Sequence, residues 1–269
     1  MKIASYSNEK ILERLLNNKS DSNYWTYITE LRKRKTKDIY AKSVSLTQSK
    51  IVKEKNIGID VMAQFGYPRL HKEKTLKIYF NLLKTETDIS VISSIFYGIG
   101  HNNDNLTNKQ IDIICNYKRH RSAKIRYSLV FALLAIENIK AIETLIELSS
   151  DKDADIRNWS TFGIGAQIST DNEEIRKALW ARIDEPGQDV RYEAIFGLAT
   201  RKDPGIKEVL KNELLKVDDL GSLLLESIEA FEDKDFISLL EQQIAQNKIT
   251  ESINEKWLLD TIEKLKENQ

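Results

Sequence analysis

Cysteine is nearly absent from this 269-residue chain. Cys115 stands alone, which excludes an internal disulfide and any cysteine-based metal cluster. It lies in the apolar run Ile111-Asp112-Ile113-Ile114-Cys115, where a thiol reads as a buried packing residue rather than a nucleophile. Histidine is scarce as well, and His71, His101 and His120 lack ligand-like spacing, so neither a metal site nor a cofactor is expected. Three prolines and ten glycines leave long stretches in which helices can run unbroken. No segment approaches the ~18 consecutive apolar residues of a membrane span. Residues 1–8 lack the apolar stretch of a secretory signal, and the expectation is a cytoplasmic protein. No glycine loop followed by lysine is present to cradle a phosphate; Gly98-Ile99-Gly100 and Gly163-Ile164-Gly165 fit close helix packing instead. Asp151, Asp153 and Asp155 read as turn and cap residues, so no catalytic residue is assigned and the chain is expected not to be an enzyme.

What the chain does have is a phrase that returns. Lys124-Ile125-Arg126-Tyr127-Ser128-Leu129, Asp155-Ile156-Arg157-Asn158-Trp159-Ser160 and Asp189-Val190-Arg191-Tyr192-Glu193-Ala194 each run into small and aliphatic residues. With the arginine as a zero mark, positions +3, +6 and +7 are Leu129/Ala132/Leu133, Ser160/Gly163/Ile164 and Ala194/Gly197/Leu198. The frame extends to marks at Lys55, Ile92 and Gly221, where the arginine is replaced. Successive marks lie 30 to 37 residues apart. That period signals stacked helical pairs, none of which can bury its apolar face without its neighbours.

The pattern of an acidic residue, an aliphatic, an arginine and then small residues resembles the HEAT-repeat superfamily, in particular short bacterial repeats of the phycobilisome-lyase type. It is carried by Asp155-Ile156-Arg157 with Gly163-Ile164-Gly165, and by Asp189-Val190-Arg191 with Gly197-Leu198-Ala199. The resemblance covers roughly residues 50 to 233. It implies an all-α fold, a right-handed α-solenoid of helix pairs. It further implies that Asp155, Arg157, Asp189 and Arg191 form a structural ladder between repeats, and that second helices line an inner wall. Residues 1–50 are expected to supply irregular capping helices, 51–233 the repeats and 234–269 a closing helix pair, all in one continuous solenoid.

Helix punctuation follows the same plan. Thr107 with Gln110, and Thr170 with Glu173, have capping-box spacing. Asp203-Pro204 reads as an N-cap before a first-turn proline, and Asp184-Glu185-Pro186-Gly187 as a turn within a pair. First helices are expected near 73–84, 108–117, 140–149, 173–183 and 204–216. Second helices are expected near 54–65, 90–100, 123–136, 155–167, 189–200 and 220–231. Capping helices fall near 7–16 and 23–33, and the closing pair near 236–246 and 254–266.

At about 100° per residue, positions +3, +6, +7 and +10 form one buried sector, while +1 and +5 point almost opposite it. Position +5 is Tyr97, Phe131, Phe162 and Phe196 in four successive repeats, and +1 gives Tyr127 and Tyr192. Aromatics where polar residues belong mark a candidate partner-binding ridge. The competing reading is that they fill gaps between crowded second helices.

Charge is neutral overall yet split. Residues 1–130 hold 24 Lys+Arg and 12 Asp+Glu, whereas 131–269 hold 17 and 29. The basic half contains two dense clusters, Arg32-Lys33-Arg34-Lys35 and Lys118-Arg119-His120-Arg121 with Lys124. The sequence therefore points to a scaffold or adaptor that binds another protein, in its narrowest form by masking it. Nucleic-acid binding through the two basic clusters is the alternative, and the dipole permits head-to-tail self-association.

Overall fold

The computed structural model describes residues 3–219 and 221–267. The chain divides into two compact units, Met1–Ile136 and Glu137–Gln269. Among the described residues all regular structure is helical. The first unit holds α1 (Asn8–Leu16), α2 (Asp21–Arg34), α3 (Lys37–Leu46), α4 (Val52–Ala63), α5 (Lys72–Leu82), α6 (Ile89–Gly100), α7 (Asn108–Cys115) and α8 (Ala123–Leu133). The second holds α9 (Ile139–Leu148), α10 (Ala154–Ala166), α11 (Glu173–Trp180), α12 (Gln188–Thr200), α13 (Ile206–Leu214), α14 (Ser222–Phe231), α15 (Phe236–Thr250) and α16 (Glu255–Glu267). Helices pair as α3 with α4, α5 with α6, α9 with α10, α11 with α12, α13 with α14 and α15 with α16. Second helices also stack on one another: α4 on α6 on α8 in the first unit, and α10 on α12 on α14 on α16 in the second. This is the α-solenoid arrangement that the repeat period requires.

The repeat mark falls on the fourth residue of α4, α6, α8, α10 and α12, at Lys55, Ile92, Arg126, Arg157 and Arg191. In α14 it sits one residue ahead of the helix, at Gly221; Leu220, where the expected helix begins, lies outside the described residues. The +3, +6 and +7 residues of all six repeats are buried, from Gly58, Val61 and Met62 to Leu224, Ser227 and Ile228. Small residues among them set the helix spacing. A Cβ on Gly197 would lie 2.7 Å from the Gly165 Cα, and one on Gly100 would lie 2.6 Å from the Phe131 carbonyl oxygen. At both places the helix backbones touch with no side chain between them.

Several local expectations need correction. Helix α3 is absent from the set read off the sequence. Its buried stripe, Ile39, Tyr40, Ser43 and Leu46, includes a serine whose hydroxyl donates back to the Ile39 carbonyl, and this interrupts the apolar signal. The Thr107–Gln110 capping box is present. At α11, however, the N-cap is Asn172, which accepts from the Ile175 amide, while the Thr170 hydroxyl donates to Glu137. Helix α13 starts at Ile206, because Asp203 closes a turn on the Gly205 amide and leaves Pro204 outside the helix.

The ladder also differs from its expected form. Arg157 pairs with Glu185 (Nε–Oε1, 3.1 Å) and Arg191 with Glu213 (Nη2–Oε2, 3.4 Å), so Asp155 and Asp189 are not the carboxylates that answer the arginines. The repeated arginine has a more local task. Its Nη1 donates to the carbonyl six residues earlier: Arg126 to His120 (2.7 Å), Arg157 to Asp151 (2.9 Å) and Arg191 to Glu185 (3.2 Å). Each thus closes the turn that leads into its own helix.

Candidate functional site

Helices α4, α6 and α8 stack side by side, so residues four apart on each share one face of their helix. The row reads Asn56, Asp60 on α4, with Gln64 just past its end; Ser93, Tyr97 on α6, with His101 just past its end; and Tyr127, Phe131 on α8. These are the +1, +5 and +9 positions of the repeat. Helix α2 packs against α4 and brings Trp25 and Arg32, two turns apart on one face, to the end of the row. The result is a cavity of about 460 Å³ in the first unit, walled by Trp25, Tyr97 and Phe131. Polar groups from Arg32, Asn56, Asp60, Gln64, Ser90, Ser93, Ser94, His101 and Lys124 complete the lining.

Most of these polar groups hold one another. The Tyr24 phenol donates to Asp60 Oδ2 at 2.6 Å, and the Arg32 guanidinium donates Nε and Nη2 to the Asp60 carbonyl at 2.9 and 2.6 Å. Asn56 Nδ2 donates to Ser90 Oγ at 3.1 Å, leaving Asn56 Oδ1 buried without a partner. Burial pushes the Asp60 carboxyl above its ordinary value, against the opposing pull of Tyr24 and Arg32. Burial likewise lowers Arg32 and raises Tyr97. Desolvation, together with the Arg32 and Arg69 guanidinium groups, pushes His101 down to about 4. Its imidazole is therefore neutral at pH 7, which suits Nε2 as acceptor for the Gln64 amide at 2.5 Å.

A second cavity, of about 260 Å³, adjoins the first and shares Arg32 and Gln64 with it. Thr29, Lys33, Lys35, Gly66, Tyr67 and Arg69 complete it. Lys33 is exposed, and so is Lys35, whose Nζ donates to the Tyr67 carbonyl at 2.7 Å.

The residues singled out from the sequence separate into groups. Tyr97, Phe131 and Tyr127 form one half-buried cluster, with Tyr97–Phe131 ring centroids 5.4 Å apart and Tyr127–Phe131 5.8 Å apart. Phe162 and Phe196 are half-buried on α10 and α12 in the second unit, Phe162 meeting Trp159 edge to face at 5.6 Å. Tyr192 is 4% exposed and lies under the Arg191 guanidinium, so it is a packing residue and not part of an exposed ridge. Of the basic clusters, Arg32 and Lys124 reach the cavity. Arg34 is tied to the carbonyls of Tyr6, Ala4 and Ile3, which makes it structural. Lys118 is half-buried, and Arg119 and Arg121 are exposed on the turn before α8. The sequence reading missed Asp60, Asn56, Gln64, Trp25 and the serines. The signal for Asp60 was available: it is the +5 residue of the repeat marked by Lys55, in register with Tyr97 and Phe131.

The charge split coincides with the division into units. Residues 131–136 carry no charge, so the first unit is +12 and the second −12. Among the described residues no helix is long and apolar enough to cross a membrane.

No protein-family model matches the chain. Over 124 residues, 46% of its length, it is 32% identical to Protein YibA of Escherichia coli strain K12, and equally to that of strain O157:H7. The match spans 44% of the length of those relatives. An X-ray structure of Escherichia coli YibA aligns over 98% of this chain and 93% of its own, with TM-score 0.75 and 22% identity. A crystal structure of an engineered protein aligns over 98% and 82%, with TM-score 0.56 and 16% identity. Such likeness at low identity establishes the fold alone: this chain is a helical repeat protein similar in architecture to YibA.

Proposed function

We propose that the chain is a non-catalytic scaffold or adaptor, acting in the cytoplasm, that seats a side chain of a partner protein in the cavity of the first unit. The observation that carries this reading is the cavity wall of the exposed Trp25 and the half-buried Tyr97 and Phe131, brought together from three helices. Aromatic pockets of this kind anchor the residues that dominate protein interfaces. The polar lining supports binding over turnover. Arg32 is engaged with the Asp60 carbonyl, Asp60 with Tyr24, Asn56 with Ser90 and Gln64 with His101, and the Ser90 hydroxyl is spent on Asp88, the N-cap of its own helix. Masking of an enzyme or toxin is the narrower form of this role. The repeats are of the short HEAT-like kind, and the likeness to the phycobilisome-lyase type extends to the repeat frame alone.

The test is affinity capture from source-cell lysate on immobilised full-length chain, with and without nuclease, comparing the native protein with Trp25→Ala/Tyr97→Ala. A discrete protein retained after nuclease and lost in the variant is the expected result. Trp25→Ala alone should keep a melting curve close to native, because Trp25 is 51% exposed, and should also lose the partner, which separates lost binding from lost packing at the half-buried Tyr97. Nuclease-sensitive recovery that ignores the aromatics would move the reading to nucleic acid, which the basic cavity of Arg32, Lys33, Lys35 and Arg69 favours.

A further inference from the structure

The aromatic cavity and the basic cavity share Arg32 and Gln64 and so form one continuous feature, a hole beside a cationic shelf. Much of the first unit's positive charge is committed elsewhere. Lys53 Nζ donates to the Leu16 and Asn18 carbonyls, Lys55 pairs with Glu86, Lys72 with Asp104, and Arg34 closes on the N-terminal carbonyls and Glu30. On the shelf Lys35 and Arg69 each donate to a backbone carbonyl, of Tyr67 and Gly66, and none of its cations is paired there with a carboxylate that lines it. Lys33, Lys35 and Arg69 line it, Arg32 lies at the junction and Lys124 stands at the far side of the hole. No carboxylate lines the shelf; Asp60 lines the adjoining hole with Arg32 and Lys124, where it is buried and engaged by Tyr24. Exposed apolar surface rims the same region: Tyr67 is 85% exposed, and Trp25 and Leu70 are also exposed.

We propose that the occupant is an acidic segment of the partner protein, which seats one large apolar side chain among Trp25, Tyr97 and Phe131 and lays its carboxylates along Lys33, Lys35 and Arg69. This deepens the protein-binding reading and rests on it. A nucleic-acid strand fits less well, because phosphate tracking needs cations along an extended path. Here Arg34 is withdrawn into the fold, two of the Arg32 donors are held by the Asp60 carbonyl, and the remaining cations cover the footprint of a short segment.

The experiment is selection of a random dodecapeptide display library against the full-length chain, with an oligothymidylate and sedimentation velocity as parallel arms. Enrichment of Asp/Glu-rich peptides carrying one large apolar residue is expected. The resynthesised binder should lose roughly tenfold in affinity when its apolar residue becomes Ala, and similarly against Lys33→Glu/Lys35→Glu or Trp25→Ala. Enrichment of Lys/Arg-rich peptides, or indifference to Lys33→Glu/Lys35→Glu, overturns this inference while leaving the protein-binding reading intact. Oligothymidylate binding with no peptide enriched overturns both. Self-association lost in Lys33→Glu/Lys35→Glu gives the site to a second copy, and the absence of any enrichment also overturns the proposal.

Discussion

Arg201 does as much for this molecule as any single side chain, and its place in the sequence gives little notice of it. It is buried, and its guanidinium donates to the carbonyls of Ile164, Gly165, Ile168, Thr170 and Gly197. Asn102 holds the corresponding place in the first unit, donating to Ala63 and Gly98 from the same distance past its glycine. Arg201→Met should strand several buried carbonyls and cost about 3–5 kcal/mol by urea denaturation, since a buried partner is removed without replacement. A loss below about 1 kcal/mol would contradict that role. Glu193 yields a prediction in pH. Burial, then the Asp189 and Glu226 charges, push its carboxyl up from 4.5 to about 7, and its Oε2 is buried without a partner. The folded chain therefore keeps a proton that the unfolded chain releases between those values, so this group's contribution to stability falls as pH rises through the window. Glu193→Gln should be more stable than the native protein by about 1 kcal/mol at pH 8, after discounting for partial solvent access, and no different near pH 4. Equal melting temperatures at both pH values would refute it. The recurrence of Arg126, Arg157 and Arg191 was legible in the sequence, but their task was not. Carbonyl acceptors in a turn have no residue-type signature, and so the resemblance suggested aspartate partners where Glu185 and Glu213 stand.

Among the elements, second helices were the most legible, because small and aliphatic residues at fixed offsets have no competing use on a helix. The marks locate α4, α6, α8, α10 and α12, and every +3, +6 and +7 residue is buried. Helix α3 was not legible, because Ser43 occupies a core position where it packs under Gly58; a Cβ at Gly58 would sit 2.4 Å from the Ser43 carbonyl oxygen. The site was half legible. The wheel placed Tyr97 and Phe131 on an outward row, yet Asp60 in the same row broke the aromatic pattern, and Trp25 comes from a helix outside the repeat. Two glycines test the packing account. Gly197→Ala drives a methyl into the Gly165 backbone and should cost about 1–3 kcal/mol. Gly187→Ala meets nothing within 4 Å at φ −73° and should change stability by less than about 0.5 kcal/mol. Equal costs at the two positions in a chemical denaturation series would undermine the backbone contact as the element that sets helix spacing.

For the molecule as a whole, the informative fact is that +12 and −12 fall on separate compact units. Opposite fields of that size steer association more than they stabilise a fold, and salt weakens them. The aromatic cavity instead works by burial of apolar surface, which salt leaves largely intact. Association with the partner should therefore slow as salt rises, while the dissociation rate changes little. The most direct measurement of the central claim is a titration of the captured partner against native chain and against Trp25→Ala, by calorimetry at low and high salt. The account predicts an affinity loss of at least roughly tenfold in Trp25→Ala at both salt concentrations. Native-like affinity in Trp25→Ala, with binding that vanishes at high salt, would contradict it and assign recognition to charge alone.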